Sequence, residues 1–502
     1  MLKVIILSYF LHFCDCSHIL VVFPVPEKRH SVLSDSLVKL LLNDGHEVTH
    51  VTHFPRETRL HNLAYVDISS KDHNAEDDWI NTANDTLQME NLGLKYAQRA
   101  LHHPNMQELM MNTTASFDLV IAEWFYSGLL APISALYECP FIWYSAADVS
   151  WKSLSLVNSE VSTFPTPTQG LSITERIQRM WSHLQLIVRN YYHVAAKELP
   201  AYEKLFRDTF EVRRQALPNY ETLVYNSSLL FINSHPILSH ITALPINAKY
   251  IGSHHIEKAT SPLPKNLKKL MDESSHGVIY VDLASSLISK NLQEEILQEL
   301  IEALGHIKQT VIWKCDEIIV NLPKNLYTIK KPSQQSILNH ANTIAFINHG
   351  DMLSIIEAAH HGVPVIGIPV MEDQISNIDV LVQREYGFKV DINDDLSSKV
   401  IDAIYKISDD KSYQARAKEA RSILRYRLTS PQEEFQYWIK MVIQTHGTVH
   451  LRSPTLKIST LERYNLDIAL LLILLIWFFT KVVKVFKVHF SDSNDDLVKK
   501  DL

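Results

Sequence analysis

The sequence predicts an α/β fold built from two doubly wound parallel sheets, followed by one membrane-spanning helix. A strand–helix–strand pattern opens the chain at residues 18–51, and a second series of strands and helices restarts at residue 277. Near the C-terminus, residues 466–485 are mostly apolar. Strands that alternate with amphipathic helices are typical of parallel sheets covered by helices on both faces. We therefore expect two Rossmann-like domains and a terminal membrane segment.

Size and composition are those of a globular protein with a large core. The 502 residues are enough for two or more domains, and 46% of them are hydrophobic while 21% are charged. The formal net charge is -8. Because no basic stripe occurs outside the extreme C-terminus, we expect no nucleic-acid partner. Cys139 and Cys315 fall in different predicted domains, so no disulfide between them is expected.

Residues 1–16 have the features of a secretory signal peptide. Lys3 is followed by a short apolar run, and cleavage is expected near Cys16. The same run could form a buried first strand, but residues 18–23 already supply one. Three Asn-x-Ser/Thr sequons are compatible with glycosylation in the lumen of the secretory pathway. They lie at Asn84, Asn112 and Asn226.

Residues 17–250 form the first predicted domain, in which two polar side chains follow strands. After the strand at 18–23, a loop carries His30 before a helix that is expected to begin at Val32. Another buried strand delivers Glu123 at its carboxyl end. A lone loop histidine is usually a solvated surface residue, and a strand-end acid often faces solvent. Ligands nevertheless bind outside the carboxyl ends of strands in doubly wound sheets, which makes both residues candidates.

Residues 251–450 form the second predicted domain, and the stretch from 345 to 390 is its most informative part. A buried strand ends at Asn348, a helix is predicted from Met352 to His361, and Gly362 stands where a C-terminal cap belongs. A helix N-terminus offers unpaired N–H groups and a positive dipole end to an anion, so diphosphate binding fits. Glu357 could accept hydrogen bonds from two ribose hydroxyls.

The same stretch resembles the signature of the UDP-glycosyltransferase superfamily, most closely its insect members. The resemblance extends from about residue 18 to the C-terminus. The matching residues are Phe346, His349, Gly350, Ser354, Glu357, Ala358, His361, Gly362, Val363, Pro364, Gly367, Ile368, Pro369, Asp373, Gln374, Asn377, Gly387, Val390 and Asp391. The resemblance implies the GT-B fold, in which two Rossmann-like domains face each other across a cleft.

The resemblance also implies the reaction and the roles of its residues. His30 would act as general base and Glu123 would orient it, in an inverting transfer of a hexose from a UDP-sugar to a small lipophilic acceptor. No metal or other cofactor is implied. The implied UDP-sugar-binding residues are Ser285, Gln334, His349, Gly350, Ser354, Glu357, Asp373 and Gln374. Acceptor recognition would belong to the first domain, where we expect the aromatic-rich helical segment 151–217 to line the pocket or fill the core.

Several positions depart from the family pattern, and most lie on the nucleotide side. Lys331 replaces an aromatic residue on which uracil would stack, and Ala284 replaces a glycine. Asp351 replaces the second glycine of a His-Gly-Gly sequence, where it could cap the following helix but would place a negative charge beside the diphosphate. Glu27 and Arg29 flank the implied base, where insect relatives often have small residues.

The C-terminal segment predicts a single membrane span at residues 466–485 and a cytosolic tail at 486–502. Its fully apolar part is 13 residues long, short for a span of about 20, so a core helix is the alternative. Flanking lysines and aromatic residues favour the span and place the tail in the cytosol. Lys499 and Lys500 resemble a di-lysine retrieval signal, whose alternative is a solvated tail. We therefore expect a single-pass type I protein of the endoplasmic reticulum membrane with a lumenal body.

Three functions remain open at this point. The first is an active transferase, using UDP-glucose rather than UDP-glucuronate given the insect-like pattern. The second is a degenerate member that binds UDP-sugar weakly and acts as a binding or regulatory partner. The third is a carrier of hydrophobic ligands that binds no nucleotide. A homo- or hetero-oligomer with other family members is compatible with the first two.

Overall fold

The computed structural model contains two parallel α/β domains and a C-terminal helix. It describes residues 16–57, 60–70, 86–158, 172–240, 243–257, 259–283, 294–315, 321–330, 332–392, 395–454, 462 and 465–498. Within these ranges, one sheet has seven strands and the other has six. The two strand orders are those of doubly wound sheets, as the sequence predicted.

The first domain contains the seven-stranded sheet, with the strand order β3-β2-β1-β4-β5-β6-β7. Its strands are β1 (His18–Val22), β2 (Glu47–Thr52), β3 (Leu63–Asp67), β4 (Leu119–Glu123), β5 (Phe141–Ser145), β6 (Leu229–Ile232) and β7 (Ala248–Tyr250). Its helices are α1 (Lys28–Asn43), α2 (Thr86–His102), α3 (Pro104–Met111), α4 (Pro132–Leu136), α5 (Trp151–Ser155), α6 (Ile173–His193), α7 (Leu199–Val212) and α8 (Tyr220–Val224), with a π-helical turn at Val194–Glu198 and a 3-10 turn at Pro236–Leu238.

The second domain contains the six-stranded sheet, with the strand order β10-β9-β8-β11-β12-β13. Its strands are β8 (Val278–Asp282), β9 (Thr310–Lys314), β10 (Leu326–Ile329), β11 (Thr343–Asn348), β12 (Val365–Gly367) and β13 (Gly387–Lys389). Its helices are α9 (Lys265–Glu273), α10 (Glu294–Gly305), α11 (Gln334–Leu338), α12 (Met352–His361), α13 (Glu372–Gln383), α14 (Leu396–Asp409) and α15 (Lys411–Arg425).

Central strands in both sheets are buried on both faces, which is why they appear in the sequence as unbroken apolar runs. In β1, the side chains from Ile19 to Val22 have no exposed surface, and alternate residues belong to two different cores. Strand β8 divides its residues between two cores in the same way. Each sheet therefore lies between two layers of helices.

Helix α1 begins earlier than the sequence pattern indicated. The sequence predicted a start at Val32 with His30 in the preceding loop, but the helix runs from Lys28 and places His30 in its first turn. The apolar pattern begins only at Val32, because the first turn carries polar residues that face the cleft. Helix α12, by contrast, has the predicted bounds, and Gly362 ends it in the left-handed conformation with φ 72°.

One helix connects the end of the second domain to the first. Helix α16 (Pro431–Gln444) buries Phe435, Ile439 and Val442 in the core formed by β1, β4 and α1. The Phe435 ring lies 5.3 Å from that of Phe231 in β6, measured between centroids. A 3-10 turn at Val449–Leu451 follows. The chain thus crosses back and ties the two domains together after both sheets are complete.

The aromatic-rich segment is only partly buried, so one part of it fills the core as predicted, while a role of the exposed part in lining the acceptor pocket stays a prediction. Tyr202 of α7 is buried, as expected of a core residue. Trp181, Tyr191 and Tyr192 of α6 are exposed, because α6 packs against the domain through a narrow face that includes Ile187. Residues 159–171, which belong to the same predicted segment, lie outside the described residues.

The last helix, α17 (Leu466–Val498), contains an apolar stretch long enough to cross a membrane. This stretch extends from Leu466 to Lys484, has a mean hydropathy of 2.4, and is not buried against the rest of the protein. A 19-residue apolar helix with every side accessible is typical of a lipid-embedded segment rather than a core helix. The structure therefore suggests membrane anchoring through α17.

The structure locates both body cysteines and two of the three sequon asparagines. Cys139 and Cys315 are free and lie in different domains, as predicted. Asn112 and Asn226 are exposed, while Asn84 lies outside the described residues, as does the predicted signal peptide up to residue 15.

Substitution of Phe435 tests how strongly α16 ties the domains together. Phe435→Ala removes a fully buried ring, so the free energy of unfolding should fall by about 3–5 kcal/mol. Urea denaturation of the full chain in detergent, followed by tryptophan fluorescence, measures the loss. Tyr437→Ala on the exposed side of the same helix is the matched control and should change stability by less than about 1 kcal/mol. Equal losses in the two variants would show that α16 is not held by this packing.

Candidate active site

In each sheet there is one point where the strand order reverses, and these two points lie at the same cleft. Predicted site residues lie beside both of them. In the first sheet, the order reverses between β1 and β4, so the segments that follow these strands diverge there. His30 follows β1 and Glu123 ends β4. In the second sheet, the reversal lies between β8 and β11, whose last residues, Asp282 and Asn348, are paired in register. Both pairs of strand ends contribute to one cleft.

His30 and Glu123 form a hydrogen-bonded pair. The Nδ1 atom of His30 contacts the Oε1 atom of Glu123, whose side chain is fully buried. A carboxylate at Nδ1 favours the tautomer in which Nδ1 carries the proton, so Nε2 is the nitrogen that can accept one. Glu27 Oε2 lies 3.6 Å from that Nε2 atom, and the Phe125 ring packs edge-on against the imidazole.

The charges around His30 raise its pKa to about 9. Burial alone would lower this pKa, but the nearby Glu123 carboxylate, its hydrogen bond and the charge of Glu27 outweigh burial. At neutral pH the imidazole is therefore mostly protonated. A group that must accept a proton becomes more available as the pH rises towards 9.

A compact turn joins β11 to α12 in the second domain. Gly350 has φ 97°, and a Cβ atom there would lie 2.9 Å from a side-chain carbon of Ile378, so the turn requires glycine. Asn348 accepts a hydrogen bond from the Gly350 N–H at 2.6 Å, and Asn377 donates one to the Gly350 carbonyl at 3.0 Å. The backbone of His349 and Gly350 is thereby held at the N-terminus of α12.

Asp351 caps helix α12. Its Oδ1 atom accepts a hydrogen bond from the Ser354 N–H at 3.0 Å, and its Oδ2 atom accepts one from Asn348 at 3.0 Å. Burial raises the pKa of Asp351, but the positive charge of Arg29 and the hydrogen bond from Ser354 oppose burial, and the pKa lies below its ordinary value. The helix gains a charged cap, which occupies one of the N–H groups that an anion would otherwise find unpaired.

His349 is buried beside this cap and is uncharged. Burial lowers its pKa to about 4, and the positive charge of Arg29 contributes. Its Nε2 atom contacts the Arg29 guanidinium and lies 3.3 Å from Asp351 Oδ2. Its Nδ1 atom has no hydrogen-bond partner among the described residues. His349 can therefore donate or accept a hydrogen bond but brings no charge to the site at neutral pH.

Glu357, Gln334 and Ser354 form a second cluster along α12. Gln334 donates to Glu357 at 2.7 Å and to Ser354 at 3.2 Å, while Tyr280 donates to Gln334 at 3.3 Å. Gln335 donates to the other oxygen of Glu357 at 3.0 Å. The structure thus brings three of the predicted UDP-sugar-binding residues together. It also places both Glu357 oxygens in hydrogen bonds that a ribose would have to replace or share.

Asp373 and Gln374 lie at the start of α13. The Gln374 side-chain oxygen accepts from the backbone N–H groups of Val370 and Met371, at 3.0 and 3.2 Å. Burial raises the pKa of Asp373 to about 6, and the negative charges of Asp351 and Glu27 add to this effect while backbone hydrogen bonds oppose it. Ser285, the remaining predicted UDP-sugar residue, lies outside the described residues, as do Ala284 and Lys331.

Arg29 is the residue that sequence reasoning left without a role. It lies 3.2 Å from Asp351 Oδ2 and contacts His349, so a side chain of the first domain reaches the α12 N-terminus of the second. In the sequence, the feature that could have pointed to a role for Arg29 is its position directly beside the implied base His30. Nothing in the sequence pairs it with a residue 322 positions away. Within the described part of the chain, no cluster of three or more His, Cys, Asp or Glu residues could hold a metal ion.

Comparisons with known proteins identify the family of this chain. The family model described as UDP-glucoronosyl and UDP-glucosyl transferase matches residues 20–499. UDP-glucosyltransferase 2 of Dactylopius coccus is 28% identical over 505 residues, covering 96% of each chain. The ecdysteroid UDP-glucosyltransferase of Lymantria dispar multicapsid nuclear polyhedrosis virus is 22% identical, covering 88% of this chain and 91% of the viral protein.

A solved structure shares the fold. The crystal structure of the glycotransferase of kitacinnamycin superposes with a TM-score of 0.59 at 17% identity, covering 85% of this chain and 99% of that one. The two facing Rossmann-like domains are therefore a GT-B fold. Because the family match extends over nearly the whole sequence, the chain belongs to the UDP-glycosyltransferase family and is an enzyme that transfers a sugar from a UDP-sugar to an acceptor.

Proposed function

We propose that this enzyme transfers glucose from UDP-glucose to a hydroxyl group of a small lipophilic acceptor, with inversion at the anomeric carbon and His30 as general base. The observation that carries the proposal is the hydrogen bond between His30 and buried Glu123, at the sheet edge that faces the nucleotide-side residues. Arg29, directly before His30, lies 3.2 Å from Asp351 Oδ2 of the second domain, so the base and the nucleotide-side residues share one cleft.

In the proposed reaction, His30 Nε2 removes the proton of the acceptor hydroxyl. The acceptor oxygen then forms a bond to the anomeric carbon while the bond from that carbon to the β-phosphate oxygen breaks, and UDP leaves. Glu123 stabilises the imidazolium that forms and keeps Nδ1 protonated. Because Glu123 is fully buried, its charge is poorly screened and acts mainly on His30.

The donor would bind along α12 and α13. Glu357 would hold the ribose with Gln334 beside the nucleoside, and Ser354, His349 and Gly350 would face the diphosphate. Asp373 and Gln374 would bind sugar hydroxyls, and Ser285 is proposed as a further donor contact. Gln334 lies 2.7 Å from Glu357 and 3.2 Å from Ser354, which supports a donor site in which the nucleoside-side residues adjoin the diphosphate-side ones. No metal or cofactor is part of this proposal, because a helix N-terminus can stabilise the leaving diphosphate.

The sugar and acceptor classes rest on relatives. The names of the two relatives above specify glucosyl transfer, and one specifies an ecdysteroid, which is a lipophilic alcohol. Aromatic side chains beside His30 fit such an acceptor, since Phe125 packs against the imidazole and contacts the rings of Tyr96 and Tyr126. Phe125 therefore offers an apolar surface next to the proposed base, and the buried Tyr96 ring packs against Phe125.

We further propose a single-pass type I orientation in the endoplasmic reticulum membrane, with the body in the lumen and residues 486–502 in the cytosol. The exposed apolar helix Leu466–Lys484 and the exposed sequons Asn112 and Asn226 support this arrangement. Association with itself or with other family members remains part of the proposal, since a shared membrane would favour it.

A non-catalytic binding partner is the second candidate function. One observation favours it: Asp351 places a negative charge at the N-terminus of α12, where a diphosphate would bind. A chain of this kind would keep the fold yet show no stabilisation by UDP.

Removal of the proposed base should abolish turnover without unfolding the protein. We expect His30→Ala to lower kcat at least about 100-fold, because general-base catalysis contributes about 10²–10⁴-fold. Membranes that express the full chain are incubated with UDP-glucose and pooled phenolic and steroid alcohols, and glucosides are detected by mass. His61→Ala, an exposed histidine of the same domain, should retain activity. Glucoside formation by His30→Ala at the wild-type rate would contradict the proposed base.

Substitution of Glu123 should change the pH dependence of the reaction. In the wild type, activity should rise with pH as His30, whose pKa is about 9, loses its proton. Glu123→Gln removes the charge that raises this pKa, and burial then lowers it, so the rising limb should move below about pH 7 while the maximal rate falls. Rates of product formation from pH 5 to 10 measure the shift. Glu108→Gln, an exposed carboxylate, is the control, and an unmoved limb in Glu123→Gln would assign it to another group.

Membrane topology can be tested on the full chain in microsomal vesicles. External protease should remove a C-terminal epitope tag but leave the body intact. Endoglycosidase treatment should change the electrophoretic mobility of the wild type more than that of the double variant Asn112→Gln with Asn226→Gln. Carbonate extraction should leave the wild type in the membrane. Leu472→Arg with Leu475→Arg places two charges in the proposed span and should release the protein. Protection of the tag would reverse the proposed orientation.

A further inference from the structure

Arg29 forms a polar contact across the cleft that links the proposed base to the proposed diphosphate site. It lies in the first turn of α1, next to His30, and its guanidinium lies 3.2 Å from Asp351 Oδ2 and contacts His349. Its Nε atom lies 3.9 Å from Glu27. The side chain is mostly buried, with 21% of its surface exposed, so solvent screens these charges weakly.

Without Arg29, the groups at this contact would carry a net negative charge. Asp351 is ionised and His349 is neutral, because their pKa values are lowered. Glu27 adds a second carboxylate, and the pKa of Asp373 responds to both of these negative charges. A diphosphate that enters the α12 N-terminus therefore meets carboxylates, with Arg29 as the cation in direct contact with Asp351. Burial alone would lower the pKa of Arg29, but these carboxylates and Asp282 raise it, so the guanidinium remains charged.

The N-terminus of α12 is also less available to an anion than a plain helix end. Asp351 Oδ1 takes the Ser354 N–H, and Gly350 N–H donates to Asn348. A guanidinium offers five N–H donors in a planar fork that matches phosphate oxygens. Asp351 occupies a backbone N–H donor and adds a negative charge to the site. The Arg29 guanidinium supplies N–H donors and a positive charge, so it compensates for both effects.

We propose that Arg29 is a ligand of the donor diphosphate, and that Asp351 and the diphosphate compete for its guanidinium. The proposal rests on the proposed function, in which the diphosphate binds at the N-terminus of α12. It makes the first domain, which carries the base, a direct contributor to nucleotide binding. Donor binding then draws on both sides of the cleft and holds the residue beside His30 in place.

The test is the affinity of the full chain, in detergent, for uridine, UMP and UDP by isothermal titration calorimetry. Wild type should bind UDP more tightly than uridine. In Arg29→Ala, the Kd for UDP should rise at least about tenfold while the Kd for uridine stays unchanged, because only the phosphates contact the guanidinium. Arg29→Lys retains the positive charge without the planar fork, so its Kd for UDP should lie between those of the wild type and Arg29→Ala.

A second substitution isolates the role of Asp351. Asp351→Asn removes the negative charge but retains the helix cap, so the Kd for UDP should fall several-fold. The double variant Arg29→Ala with Asp351→Asn should return towards the wild-type value, because each change offsets the other. Arg56→Ala, which removes an exposed arginine paired with Asp35 at 2.6 Å in the same domain, is the matched control and should leave all three affinities unchanged.

Distinct results would overturn this inference and the proposed function. If Arg29→Ala tightens UDP binding as Asp351→Asn does, the contact is a closed latch that excludes nucleotide and Arg29 is no ligand. If Arg29→Ala weakens uridine and UDP equally, Arg29 acts through the fold. An unchanged UDP affinity in Arg29→Ala, with phosphate-dependent binding by the wild type, refutes the inference while leaving the proposed donor site intact. Absence of UDP binding by the wild type refutes both.

Discussion

The proposed chemistry of this enzyme depends on the way parallel strands deliver their following residues to one edge of a sheet. Because all strands of a sheet point the same way, the segments after β1 and β4 emerge together, as do those after β8 and β11. The order of strands reverses between the members of each pair, which opens a crevice there. Two such crevices face each other, and His30 and Glu123 lie in one while His349 and Asp351 lie in the other. Helix α16 supports this arrangement by packing on the first domain after the second is complete.

Charges of opposite sign alternate through the cleft. Glu123 contacts His30, Glu27 lies near both His30 and Arg29, and Arg29 contacts Asp351. Each carboxylate raises the pKa of its basic neighbour and so favours the charged form. Burial makes this electrostatic effect larger than it would be in water. The two histidines illustrate the result: His30, between carboxylates, has a pKa of about 9, whereas His349, against a guanidinium, has a pKa of about 4. One imidazole is thereby basic and the other neutral within a single network.

Asp351 shows a conflict between helix stability and anion binding. As an N-cap it satisfies the Ser354 N–H, a contact typically worth about 1 kcal/mol. The same hydrogen bond removes a donor from the site where a diphosphate would bind, and the carboxylate adds repulsion. Arg29 resolves part of this conflict, because its positive charge lies 3.2 Å from Asp351 Oδ2 and offsets the negative charge of the ionised carboxylate. The departure from the family pattern in α12 is therefore matched by a residue of the first domain.

The sequence was sufficient for the fold class, and it singled out residues that the structure brings together in the proposed base pair and donor site. Unbroken apolar runs identified β1, β4 and β11 as buried strands, and the bounds of α12 followed from its apolar period and Gly362. Local patterns carry this information because strand burial and helix caps depend on residues close in the chain. The early start of α1 was missed, since its first turn is polar and shows no apolar period. The contact between Arg29 and Asp351, and the exposure of α6, depend on how separate elements pack. Only the three-dimensional structure could reveal them, because no local signal links residues that far apart in the chain.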